Sequence, residues 1–166
     1  TSVLVPELWD PRTETFTPLP AMAAPRNYHS VGLLLPDGRV MSAGGGLCGA
    51  GCAANHADVQ ILSPHYLFNP DGSAATRPAI TAAPATVQYG QVASVSTSGA
   101  VASFAMVRLS STTHTVNNDQ RRLALTFRAT GTTTWAVDVP THPGWALPGD
   151  WMLFALNADG TPSVAK

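Results

Sequence analysis

Charge is scarce in this sequence. Of its 166 residues only 11% are Asp, Glu, Lys or Arg, less than half of the roughly 25% in an average globular domain. The basic residues are a single lysine, Lys166, and arginines scattered along the chain. Nucleic-acid binding relies on Lys and Arg clustered over phosphates, so that class is set aside. Long hydrophobic runs are missing too. The chain is 45% hydrophobic, yet no run approaches the roughly 20 apolar residues that span a bilayer, so a soluble chain with no membrane partner is expected. No basic segment followed by an apolar core opens the sequence. A signal peptide is therefore expected to have been removed or to lie upstream, and the chain reads as a piece of something longer.

Cysteine is almost absent. Cys48 and Cys52 stand alone in Gly44-Gly45-Gly46-Leu47-Cys48-Gly49-Ala50-Gly51-Cys52. Structural zinc needs four ligands, and neither a second Cys pair nor a His pair at finger spacing completes such a site. A local disulfide, a free pair and half of a metal site remain open. A disulfide here would close a small loop, contributing on the order of 1–3 kcal/mol, and would point to an oxidising compartment. Secretion is expected on that ground, although no Asn-x-Ser/Thr sequon is present.

Helical periodicity is also missing, because 14 Gly and 14 Pro punctuate the chain. What is there reads as all-β. Short runs rich in β-branched and apolar residues lie between turn signals: 30–35 and 39–43 on either side of Pro36-Asp37-Gly38, then 92–97, 103–109, 123–128, 134–139 and 151–156. Pro36-Asp37-Gly38 is the clearest hairpin turn, with proline setting φ and glycine supplying a positive φ.

An internal echo adds organisation. Residues 2–11, ending Leu8-Trp9-Asp10-Pro11, are answered by residues 55–64, ending Ile61-Leu62-Ser63-Pro64, a spacing of 53 residues between the prolines. Kelch repeats, each one blade of a β-propeller, have a period of about 50. The intervening order, with Tyr28-His29-Ser30, an apolar hairpin and then Gly44-Gly45-Gly46, is that of a kelch unit. Residues 1–72 are accordingly expected to be a kelch propeller blade segment, and the remaining blades are expected elsewhere, since one blade cannot bury both faces. From about Arg77 alternating strands continue without kelch signals, so residues 73–166 are expected to form an immunoglobulin-like β-sandwich.

Candidates for chemistry are the five histidines, His29, His56, His65, His114 and His142. Each is by residue type more often a surface or hydrogen-bonded side chain than a ligand. Tyr28-His29 stands out at the entry to an apolar strand. Adjacent side chains of a strand point to opposite faces, so the pair could serve one ion only where the backbone bends; ordinary packing between blades is the competing reading. His114 lies in the polar segment Ser110 to Arg122, where a solvated loop is the plain alternative. No nucleophile elbow, zinc-protease helix or phosphate-cradling loop is present.

Taken together, Tyr28-His29-Ser30, Leu33-Leu34-Leu35-Pro36-Asp37-Gly38-Arg39-Val40, Gly44-Gly45-Gly46-Leu47-Cys48-Gly49, Asn55-His56, Ala75-Thr76-Arg77-Pro78, Thr113-His114-Thr115-Val116-Asn117, Asp119-Gln120-Arg121-Arg122 and Trp151-Met152-Leu153-Phe154 closely resemble the C-terminal third of the galactose oxidase family of copper radical oxidases. The resemblance covers nearly the whole chain in order. It implies a copper ion held by Tyr28 as axial ligand, by His29 and by His114, the last delivered on a hairpin-like loop of the sandwich. It implies oxidation of a primary alcohol or sugar to an aldehyde, with O2 reduced to H2O2 and Tyr28 as the catalytic base. The Tyr-Cys radical cofactor is then expected on the missing N-terminal propeller portion, which would be this chain's partner. Cys48 and Cys52 are spaced by three residues where the family's pair is spaced by two. The resemblance implies that substrate-recognition residues lie upstream, so which residues bind substrate is left open. The competing functions are a non-catalytic kelch and sandwich protein that binds carbohydrate, and a glyoxal or aldehyde oxidase of the same family.

Overall fold

The computed structural model describes residues 3–46, 49–53 and 55–166. Its architecture is all-β, as expected, with one short 3-10 turn at His65–Leu67 among the described residues. The chain divides into two compact units. The first comprises residues 1–33, 40–62 and 112–118; the second comprises 34–39, 63–111 and 119–166.

In the first unit, β1 (Glu7–Asp10) and β2 (Thr15–Pro18) form an antiparallel hairpin in which Trp9 pairs with Phe16. Both aromatic side chains stay exposed. A separate sheet has the order β3 (Ser30–Leu34), β4 (Val40–Gly44), β5 (Val59–Leu62). β4 and β5 run antiparallel from Val40 opposite Leu62 to Ala43 opposite Val59.

The second unit is an immunoglobulin-like sandwich. One sheet has the order β11 (Arg122–Leu125), β8 (Ser103–Arg108), β14 (Trp151–Leu156). The other has the order β12 (Phe127–Ala129), β13 (Thr134–Asp138), β7 (Val92–Ser98), β6 (Ala79–Ala82). The alternation of side chains along a strand decides what lies inside. In β7, Ala93, Val95 and Thr97 are buried while Val92, Ser94 and Ser98 are exposed. Ala93 and Val95 join Ile80, Phe104, Val137 and Ala155 in the main core. Phe104, Phe127 and Trp135 meet there edge to face, with ring centroids 5.2–5.9 Å apart, the geometry the aromatic quadrupole favours. Trp135 keeps its Nε1–H satisfied by donating to Thr97 Oγ1 at 2.8 Å. On the opposite face of β8 and β14, Val107, Met152 and Phe154 form a second cluster covered by Leu34, Leu156 and Ala165.

The expected single strand over 123–128 is two strands. Leu125 pairs with Phe104 in one sheet, whereas Phe127 pairs with Val137 in the other. Thr126 is the corner at which the chain changes sheets, a device by which sandwiches turn an edge. The Leu34–Arg39 turn carries Gly38 at φ 82°, and Gly38 N–H closes onto the Leu35 carbonyl at 2.9 Å. It is held by Arg77, whose guanidinium donates to the carbonyls of Pro162 (2.7 Å), Asp37 (2.8 Å) and Ser163 (2.8 Å). The Tyr66 hydroxyl donates to the Gly38 carbonyl at 2.6 Å, and burial pushes that phenol's pKa up.

Candidate metal centre

The centre is built from two stretches of the first unit. The first is a turn at the entry to β3. Ser30 N–H donates to the Asn27 carbonyl at 3.1 Å, and His29 adopts φ 66°. A non-glycine residue in this left-handed region is uncommon. It also removes the two-face objection, because the backbone bends between Tyr28 and Ser30 and the two rings come together at a centroid distance of 3.9 Å.

The glycine run seats this turn. Gly44 and Gly45 have φ of 72° and 115°, and a Cβ on Gly44 would lie 3.1 Å from the His29 carbonyl oxygen. A Cβ on Gly45 would lie 3.2 Å from the Asn27 nitrogen. Only glycine allows both the backbone angle and the approach. Gly46 N–H then donates to the Tyr28 carbonyl at 2.8 Å. From below, Arg26 donates to the Gly44 carbonyl at 2.9 Å and pairs with Asp58 at 3.0 Å, the arginine side chain only 6% exposed. The hydrogen bond from Arg26 holds the Asp58 carboxyl below the usual carboxylate range.

The second stretch is a hairpin of β9 (Thr112–Thr113) and β10 (Val116–Asn117), with Val116 opposite Thr113 and Asn117 opposite Thr112. A two-residue turn, His114-Thr115, joins them, with φ of 51° and 66°. Two positive φ values in a two-residue hairpin are the type I′ pattern, which Asn-Gly adopts cheaply and a β-branched threonine does not. The Thr115 hydroxyl donates to the His114 carbonyl, and Thr113 Oγ1 lies 2.6 Å from His114 Nδ1.

These two stretches bring three expected residues into one cluster. The His114 ring centroid lies 4.7 Å from that of His29 and 5.4 Å from that of Tyr28. All three side chains are exposed on this chain, Tyr28 at 47%. Two imidazoles and a phenol suit copper(II), which takes nitrogen and oxygen donors with positions left open. The donor set therefore fits the implied metal. No group of three His, Cys, Asp or Glu side chains with metal-site geometry occurs among the described residues; the third member here is a tyrosine.

The other candidates lie elsewhere. His56 contributes its backbone N–H to the Gly45 carbonyl at 2.9 Å. His65 packs beside Tyr66. His142 packs beside Trp145 and accepts from Gly144 N–H at 3.0 Å. Cys48 lies outside the described residues, and the expected Cys48–Cys52 bridge with it. Sequence reasoning passed over Thr113, Thr115 and Arg26 as supports of the centre. The signal for Arg26 was a lone basic residue two positions before Tyr28 in a charge-poor chain.

Known proteins resemble this chain over nearly its whole length. The family described as Galactose oxidase-like, Early set domain, matches residues 77–166, more than half of the chain. Galactose oxidase of Gibberella zeae is 46% identical over 167 aligned residues, covering 100% of this chain and 24% of that protein, in its C-terminal portion. The aldehyde oxidase GLOX of Vitis pseudoreticulata is 34% identical over 91% of this chain and 31% of its own length. A solved structure described as a novel fungal alcohol oxidase with catalytic diversity among the AA5 family, in complex with copper, superposes with a TM-score of 0.93 at 48% identity, over 99% of this chain and 35% of that one. This chain thus spans about a quarter to a third of the relatives it matches. With strand order, sandwich core and sequence in accord, the chain belongs to the galactose oxidase-like early set family.

Proposed function

We propose that this chain is the C-terminal part of a secreted copper radical oxidase that converts primary alcohols, of the galactose C6 type, to aldehydes while O2 becomes H2O2. The observation that supports it most is the meeting of Tyr28, His29 and His114, two of them held on left-handed backbone. His29 and His114 would hold the metal through imidazole nitrogen, and Tyr28 through its phenol oxygen. Bound there, copper together with a Tyr-Cys radical on the N-terminal portion would supply the two one-electron oxidising equivalents the reaction needs. Tyr28 Oη would take the hydroxyl proton of the substrate, which its exposure permits. The balance is RCH2OH + O2 → RCHO + H2O2, with two electrons and two protons passing from alcohol to oxygen.

In this reading residues 1–72 belong to a kelch propeller whose other blades form the N-terminal portion. The exposed apolar residues Trp9, Phe16, Val59 and Ile61 support it, since they offer surface for neighbouring blades. The Cys48–Cys52 disulfide and secretion belong to the same reading. The 34% identity to a plant aldehyde oxidase favours an aldehyde substrate as the second reading.

The test uses the full-length protein. Wild type is expected to carry one copper and to release H2O2 from galactose. His114→Ala should lose both stoichiometric copper and turnover, and wild-type values for both in that variant would sink the assignment. H2O2 from an aldehyde but not from galactose would move the conclusion to the second reading.

A further inference from the structure

We propose that Thr113 is a positioning residue for His114, a role that rests on the metal-centre reading above. A neutral imidazole has one nitrogen carrying hydrogen and one with a free in-plane lone pair, and only the second can ligate. Thr113 Oγ1 stands 2.6 Å from His114 Nδ1. In the tautomer whose Nε2 is free for coordination, the hydroxyl accepts Nδ1–H, and that hydrogen bond fixes the ring's rotation about its own axis. Histidines that bind metals usually have their second nitrogen held in this way.

The need for such a hold follows from where His114 sits. It is at the tip of a hairpin whose strands are two residues each, and its side chain is exposed, so packing does little to choose its rotamer. Thr113 is the residue that closes the turn opposite Val116. The ladder therefore fixes the threonine backbone, and the short hydroxyl contact passes that constraint to the imidazole. Thr115 complements it from the other side by donating to the His114 carbonyl. The threonines on either side thus hold the turn's backbone and its ring separately.

The experiment measures Cu(II) affinity of the full-length, copper-free protein by competition with a chromophoric chelator, for Thr113→Val, Thr113→Ser and His114→Ala. Valine keeps the shape and loses the hydroxyl; serine keeps the hydroxyl. Thr113→Val should weaken copper binding by about 10–100-fold, the usual effect of losing a residue that orients a ligand. Thr113→Ser should stay within about 3-fold of wild type, and the copper-free melting temperature should be the same for both variants. If His114→Ala loses copper while Thr113→Val binds it as wild type does, the role of Thr113 is refuted and the metal centre stands. Equal weakening in Thr113→Val and Thr113→Ser refutes it as well, because the hydroxyl would then not be what matters. Wild-type affinity in His114→Ala refutes the metal centre and this role together.

Discussion

Gly44→Ala should damage the centre without touching any of its three rings. Gly44 has φ 72°, and a Cβ there meets the His29 carbonyl oxygen at 3.1 Å. Left-handed backbone costs an alanine about 1–2 kcal/mol, while replacing glycine returns about 0.4–1 kcal/mol through the unfolded chain. The close contact adds to the cost, because the obstacle is backbone of the His29 turn, which hydrogen bonds and the Arg26 clamp hold in place. A net loss of about 1–2 kcal/mol is expected. Gly32, in β3 of the same sheet, is the control. It has no positive φ and nothing within 4 Å of a built Cβ. Gly32→Ala should therefore be neutral or stabilising by up to about 1 kcal/mol. Urea unfolding of the full-length variants measures both, and copper affinity measured alongside should fall only in Gly44→Ala, as His29 is pushed from its place. Equal stability of the two variants would refute the reasoning, since they differ only in backbone angle and in the neighbour of the new methyl group.

Two further outcomes concern charges. Asp58 is held below the ordinary carboxylate range by its hydrogen bond from Arg26. A depressed pKa contributes stability above the unfolded value, lost as pH falls through the folded one. Wild type should thus lose urea resistance below about pH 4 more steeply than Asp58→Asn, the ordinary aspartate value being about 3.9; parallel curves would show that the pair does not matter. Arg77→Met leaves the carbonyls of Asp37, Pro162 and Ser163 without their shared donor. It should cost about 2–4 kcal/mol in denaturant unfolding, as charged hydrogen bonds contribute about 1.5–3 kcal/mol each and are not additive, and a loss under 1 kcal/mol would show that water replaces the guanidinium.

How far the fold was legible depended on how much of each element is fixed locally. Trp151–Leu156 was readable to the residue, because six apolar positions in a row between turn signals are too short for an ordinary helix and fit a strand with neither face exposed. The Pro36-Asp37-Gly38 hairpin was readable because proline and glycine state the turn's dihedrals. The sheet change at Thr126 was hidden, since the alternation from Leu123 to Arg128 runs through it unbroken and what changes is the partner, Phe104 on one side and Val137 on the other. The clamp at Arg77 was hidden for the same reason, as its acceptors Pro162 and Ser163 lie 85 and 86 residues away in sequence.

The centre was legible as residue types and illegible as conformation, and the two facts have one cause. Four non-glycine residues among those described have left-handed φ, and three of them, His29, His114 and Thr115, form or flank the cluster. Local rules would write Asn or Gly at each. Such conformations cost on the order of 1–3 kcal/mol apiece and persist only where the surroundings over-determine them. Here the surroundings are visible: the glycine seat and Arg26 under His29, and the paired threonines around His114. A turn sequence of Asn-Gly at 114–115 would make the better hairpin and remove the imidazole. In the proposed metal centre, that strain is the consequence of placing histidine at two sharp bends, His29 at φ 66° and His114 at φ 51°.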